Sequence, residues 1–135
     1  MMGSGRSTAQ ERMLEASIMT LGPAELIEVV LDRAISELER AQALGPDAQW
    51  DQVRFHLLRS QRALGLLVES LASGDKVARD AEARAVVDKL GGLYGYVIDN
   101  IATADFERKA PSYEPLLKVL GEISDGWRKS VLGRA

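Results

Sequence analysis

Apolar residues recur along this chain at three- and four-residue spacing, not at alternate positions. That period predicts helices. Between Pro23 and about Ala43, the residues Ile27, Leu31, Ala34, Leu38 and Ala41 form one stripe, with Leu26, Val29 and Val30 beside it. From about Ala48 to Ala72 the stripe is Trp50, Val53, Leu57, Leu64, Leu67 and Leu71. From about Val77 to Thr103 there are two rows. One is Val86, Leu90, Leu93, Val97 and Ile101; the other is Val87, Tyr94 and Ile98. From about Ser112 to Leu132 the lining residues are Tyr113, Leu116, Leu120, Ile123 and Trp127. A shorter segment, about Thr8 to Met19, carries Met13, Leu14, Ile18 and Met19. A helix of that length is marginal alone in water.

Turn residues separate these segments. Gly22-Pro23, Gly45-Pro46-Asp47, Ser73-Gly74-Asp75 and Ala110-Pro111-Ser112 each break the pattern. Pro23 suits a first helical position and Glu25 suits the N-terminal end of the dipole. Asp47 is the expected cap of the next helix. Pro115 falls in a first turn, where it removes no helical hydrogen bond. Four helices of about 20 to 27 residues reach about 30–40 Å each. Short connections make neighbours antiparallel. The expected fold is therefore all-α: an antiparallel up-down four-helix bundle with a short extra N-terminal helix. Residues 1–20 are expected to be a mobile N-terminal segment, and residues 21–135 the bundle domain.

Composition narrows the chemistry. The 135 residues suit one domain and include no cysteine. That excludes disulfides, thiolate metal sites and cysteine nucleophiles, and it suits a reducing compartment. The 17 basic and 20 acidic residues are interspersed, with net charge -3. No basic run tracks a phosphate backbone, so nucleic acid is not an expected partner. No signal-peptide core and no stretch of the ~20 apolar residues that span a bilayer is present. The expected setting is the cytoplasm, without membrane attachment. The only histidine is His56, and the residue three before it is Val53, so no Glu-x-x-His pair exists for a di-metal bundle. No haem ligand pair, phosphate loop or nucleophile elbow appears. No catalytic residue, metal or cofactor is expected, and the chain does not read as an enzyme.

One stretch departs from an ordinary helix. Leu90-Gly91-Gly92-Leu93-Tyr94-Gly95-Tyr96 puts three glycines inside a helical pattern, each costing about 1 kcal/mol relative to alanine. Tight packing or a kink is one explanation. The other is a smooth strip on which a second backbone lies close, with Tyr94 and Tyr96 as walls.

Several residues in order resemble the FliS family of flagellin export chaperones. Gly22-Pro23-Ala24-Glu25-Leu26-Ile27 resembles the family's Ser/Ala-Pro-x-x-Leu-Ile opening of a long helix. Val30-Leu31-Asp32-Arg33-Ala34-Ile35 follows where the family has a Leu-Tyr-Asp-Gly-Ala-like segment. Leu93-Tyr94-Gly95-Tyr96 resembles its Leu-Tyr-x-Tyr motif, and Trp127 its late tryptophan. The resemblance spans about Leu21 to Val131. The chain departs from the pattern in having no tyrosine before Tyr94, and in Ser73-Gly74-Asp75-Lys76-Val77-Ala78, where the family has Gly-Gly-x-Ile/Leu-Ala.

The resemblance implies a cytoplasmic chaperone that binds the disordered C-terminal segment of flagellin. It would prevent premature polymerisation before type III flagellar export, with the export machinery as a further partner. It also implies an N-terminal segment able to cover part of the client site. On that basis the groove is expected to draw on Met13, Ile18, Leu26, Ile27, Val30, Leu93, Tyr94 and Val97. The alternatives are a homodimeric helical adaptor and a FliS-like paralogue with another flagellar client.

Overall fold

A computed structural model of the chain describes residues 23–71 and 81–132. The expected helix over Thr8 to Met19, residues Met13 and Ile18, and the expected start at Val77 lie outside the described residues. Four helices are present: α1 (Pro23–Ala43), α2 (Trp50–Leu71), α3 (Ala81–Glu107) and α4 (Tyr113–Leu132). They form the all-α bundle that the 3.6-residue period predicts.

Cross-helix bonds set the directions. Ser60 Oγ donates to the Ala34 carbonyl at 2.8 Å, and His56 Nδ1 lies 2.8 Å from Glu37 Oε2, so α1 and α2 run antiparallel. Arg54 pairs with Asp105 and Gln61 Nε2 donates to the Ile98 carbonyl, so α2 and α3 do too. Arg128 on α4 reaches Glu28 and Asp32 on α1 at 3.1 and 3.2 Å. Packing is closest between α1 and α2. α3 lies against α2 and α4 against α1, while α3 and α4 meet only lightly. Among the described residues the α3–α4 seam is thus the most open.

The sequence stripes become the core. Leu31, Ala34, Leu38 and Ala41 are buried on α1; Val53, Leu57, Leu64 and Leu67 on α2; Tyr94, Val97, Ile101 and Ala104 on α3; Leu116 and Leu120 on α4. Each fully buried leucine is worth about 1.5–3 kcal/mol relative to its exposed state. Ser60 completes the α2 stripe between Leu57 and Leu64, with its hydroxyl satisfied by Ala34. Val86, expected in the first α3 row, is 58% exposed. The buried row runs through Tyr94, Val97, Ile101 and Ala104, and α3 continues to Glu107, four residues past a helix end expected near Thr103.

The connections follow local rules with two exceptions. Pro23 opens α1 and Ser112 directly precedes α4, as expected. Asp47 is not the α2 cap: the helix opens at Trp50, and the Gln49 carbonyl accepts from Gln52 and Val53. Pro46 forces a turn first. Gly45 has φ +80 and donates to the Gln42 carbonyl, while Pro46 has no N–H for the second bond of a helix-ending motif. Arg108 is the other exception. It ends α3 at φ 55, with Lys109 N–H on the Ala104 carbonyl and Arg108 N–H on Asp105. That is a Schellman stop with a side chain where glycine is favoured. Arg108→Gly is expected to stabilise the fold by about 1 kcal/mol. A urea midpoint that falls in this variant would refute the account.

Glu37 is an unexpected core residue. Its side chain is fully buried between α1 and α2. Arg40 Nη1 and His56 Nδ1 lie 3.2 and 2.8 Å from its two oxygens. Arg33 and Arg59 stand at 3.6 and 3.5 Å. An ionised carboxylate only accepts, so the bond requires a proton on His56 Nδ1. His56, the chain's one histidine, is half-buried and holds this contact.

Candidate functional site

Antiparallel order brings the starts of α1 and α3 and the ends of α2 and α4 to one end of the bundle. There the stripes diverge around a cavity of about 330 Å³. Ile27 and Leu31 come from α1, Leu67 and Leu71 from α2, Leu90 and Tyr94 from α3, and Ile123, Gly126 and Trp127 from α4. The walls are almost entirely apolar. Ser70 also lines them, but its hydroxyl is turned to the Leu67 carbonyl at 2.7 Å.

Two features make this more than a packing defect. The indole N–H of Trp127 is buried and has no hydrogen-bond partner among the described residues. Such a donor carries a desolvation cost of about 1–3 kcal/mol until an acceptor arrives. Gly126 presents no side chain to the cavity, and a methyl group added there would meet nothing within 4 Å. Burial raises the Tyr94 phenol above the usual tyrosine range, so its neutral form lines the wall. The arrangement suits apolar side chains. Nothing in it activates a bond, and no group of three or more metal-ligating side chains occurs among the described residues. Among those residues no helix is long and apolar enough to cross a membrane.

The expected groove residues separate into two sets. Ile27 and Tyr94 line the cavity. Leu26 and Leu93 are half-buried. Val30 and Val97 are core, at 8% and 0% exposure, and do not line it. Leu67, Leu90, Ile123 and Trp127 do, although their spacing reads only as core. Their shared level, toward the start of α3 and the ends of α2 and α4, is the signal that marks them.

Packing among the described residues does not explain the α3 glycines: a methyl group at Gly91, Gly92 or Gly95 would meet none of them within 4 Å, and α3 is continuous through all three.

These features define a class: a helical bundle with an apolar pocket at one end. Comparison with known proteins gives the family. The chain matches the family described as Flagellar protein FliS over residues 6–133. It is 24% identical over 127 residues to the flagellar secretion chaperone FliS of Salmonella typhimurium, covering 93% of this chain and 89% of that protein. No solved structure matches it. The chain belongs to the FliS family.

Proposed function

We propose that this chain is a cytoplasmic flagellar export chaperone that binds the disordered C-terminal segment of flagellin and keeps it from polymerising before export. The observation that carries the reading is the apolar cavity at the bundle end, walled in part by Trp127, in a chain of this family. A client helix that polymerises through an apolar face is neutralised when that face is buried elsewhere. Apolar anchors enter beside Ile27, Leu90 and Tyr94. The lightly packed α3–α4 seam lets the bundle adjust around the anchors. This is helix-in-groove recognition coupled to folding, driven by apolar burial and opposed by ordering of the client. It needs no nucleotide and no bond-making step.

Calorimetric titration with the C-terminal fragment of the flagellin from the same genome tests it. Binding should show a negative heat-capacity change, and the fragment should gain helix. Gly126→Leu should fill the cavity and weaken binding at least tenfold, a loss of about 1.4 kcal/mol. The bundle should be no less stable, because leucine is the better helix former. A fragment that fails to bind at tens of micromolar, while the protein dimerises through this end, would replace the chaperone reading with a homodimeric adaptor.

A further inference from the structure

We propose that the outer α1–α4 groove is a second docking surface, built to take an arginine from a basic segment of a partner protein. It shares no lining residue with the apolar cavity. The cavity uses the Ile123 and Trp127 side of α4, and the groove uses the Asp125 and Arg128 side.

The groove is open, about 400 Å³ in volume, and its rim is acidic. Asp32 and Glu39 stand on α1, with Asp125 and Arg128 opposite them on α4. Glu28, one turn before Asp32, shares Arg128 with it: the guanidinium lies 3.1 Å from Glu28 and 3.2 Å from Asp32. Four carboxylates against one guanidinium give a local charge of -3, as much as the whole chain carries. Among the described residues Glu39 and Asp125 form no ion pair. The other cations of the two helices do not offset them. Arg33 and Arg40 turn to Glu37, and Lys118 and Lys129 lie outside the groove walls.

Carboxylates alone would mark a solvated face, but the floor adds an independent sign. Ser124 is 6% exposed and lines the groove. Among the described residues its hydroxyl has no hydrogen-bond partner, whereas the Ser60 and Ser70 hydroxyls each donate to a carbonyl, at 2.8 and 2.7 Å. A buried hydroxyl left open beside carboxylates has a lone pair to offer a donor. Gly121 leaves the floor bare next to it, since an added methyl group would meet nothing within 4 Å. Ile35 supplies a half-buried apolar wall. An arginine stem lies along Ile35 and Gly121, as long cationic side chains cover apolar surface. Its guanidinium then reaches Glu39 and Asp125 and keeps an N–H for Ser124. The planar fork matches carboxylates better than an ammonium does, and such bonds are charge-assisted.

The test uses the full chain and a fluorescein-labelled 12-residue peptide with four arginines, in 150 mM NaCl. Fluorescence anisotropy should give saturable binding in the tens of micromolar. It should weaken at least tenfold with citrulline in place of arginine, and at least tenfold with Glu39→Gln/Asp125→Asn. Gly121→Leu fills the floor without changing the charge and should weaken it at least fivefold; Ser124→Ala should weaken it about threefold. Glu69→Gln/Asp99→Asn removes the same charge from exposed positions on α2 and α3 and should change it less than twofold. Glu39 and Asp125 are exposed and Gly121 faces open space, so the variants keep the fold, which thermal unfolding checks. The proposal is overturned if the peptide does not bind, if the citrulline peptide binds as well, or if Gly121→Leu binds like the parent. Equal weakening by the control pair also overturns it, leaving only diffuse attraction to an acidic protein.

Discussion

Glu37→Ala is expected to lower the unfolding free energy by about 2–4 kcal/mol. Removing one member of a buried ion pair generally costs about 3–5 kcal/mol, because the partner charges stay behind unpaired. Here the partners are partly exposed, so water recovers some of that loss. Arg33, Arg40 and Arg59 would then repel one another across a void between the two most closely packed helices, and His56 would lose its acceptor. Glu37→Gln should lie between the parent and the alanine variant, since the amide oxygen still accepts but carries no charge. Glu37→Leu separates charge from volume: it fills the void but removes the carboxylate that the arginines share. Denaturant titration reads all three. A loss under about 1 kcal/mol in Glu37→Ala would mean that the cluster is solvated and adds little, as exposed ion pairs do.

Glu37 also marks where the sequence stops being readable. The core of α1 follows from period alone, because Leu31, Ala34, Leu38 and Ala41 are apolar and share one face. Glu37 lies at the edge of that face. A carboxylate beside arginines on a helix reads as solvated surface, and only the approach of α2 with His56 and Arg59 buries it. The cavity is partly readable in the same way. Ile27 and Tyr94 were expected in the groove and line its wall, but Val30 and Val97 point into the core. A stripe tells which face turns inward. It does not tell where along the bundle the helices diverge, which here depends on the weak meeting of α3 and α4. Val86 shows the same limit. It is in step with the buried row, yet 58% exposed, because it lies where the packing has opened.

Replacing Gly91, Gly92 and Gly95 together with alanine is expected to stabilise the bundle by about 2–3 kcal/mol, near 1 kcal/mol per position. Each glycine lies inside α3, and an added methyl group meets nothing within 4 Å at any of the three. Among the described residues the propensity gain therefore has no packing cost to offset it. Leaving that much stability unused asks for a reason outside the fold itself. The Arg54–Asp105 and Gln61–Ile98 bonds set the register of α2 against α3, and that register puts Gly65 level with Tyr94 and Gly95. A methyl group at Gly65 would also meet nothing within 4 Å. The outer α2–α3 groove is bare on both sides at one level, as a surface would be where a second backbone lies close. On the proposed function, that backbone belongs to the flagellin segment. The triple variant should then melt higher but bind the fragment at least fivefold more weakly, so stability and affinity move in opposite directions. Thermal unfolding and calorimetric titration on the same preparation give both numbers. A stabilised variant with unchanged affinity would move the client off this strip. A destabilised one would show that the glycines serve packing after all.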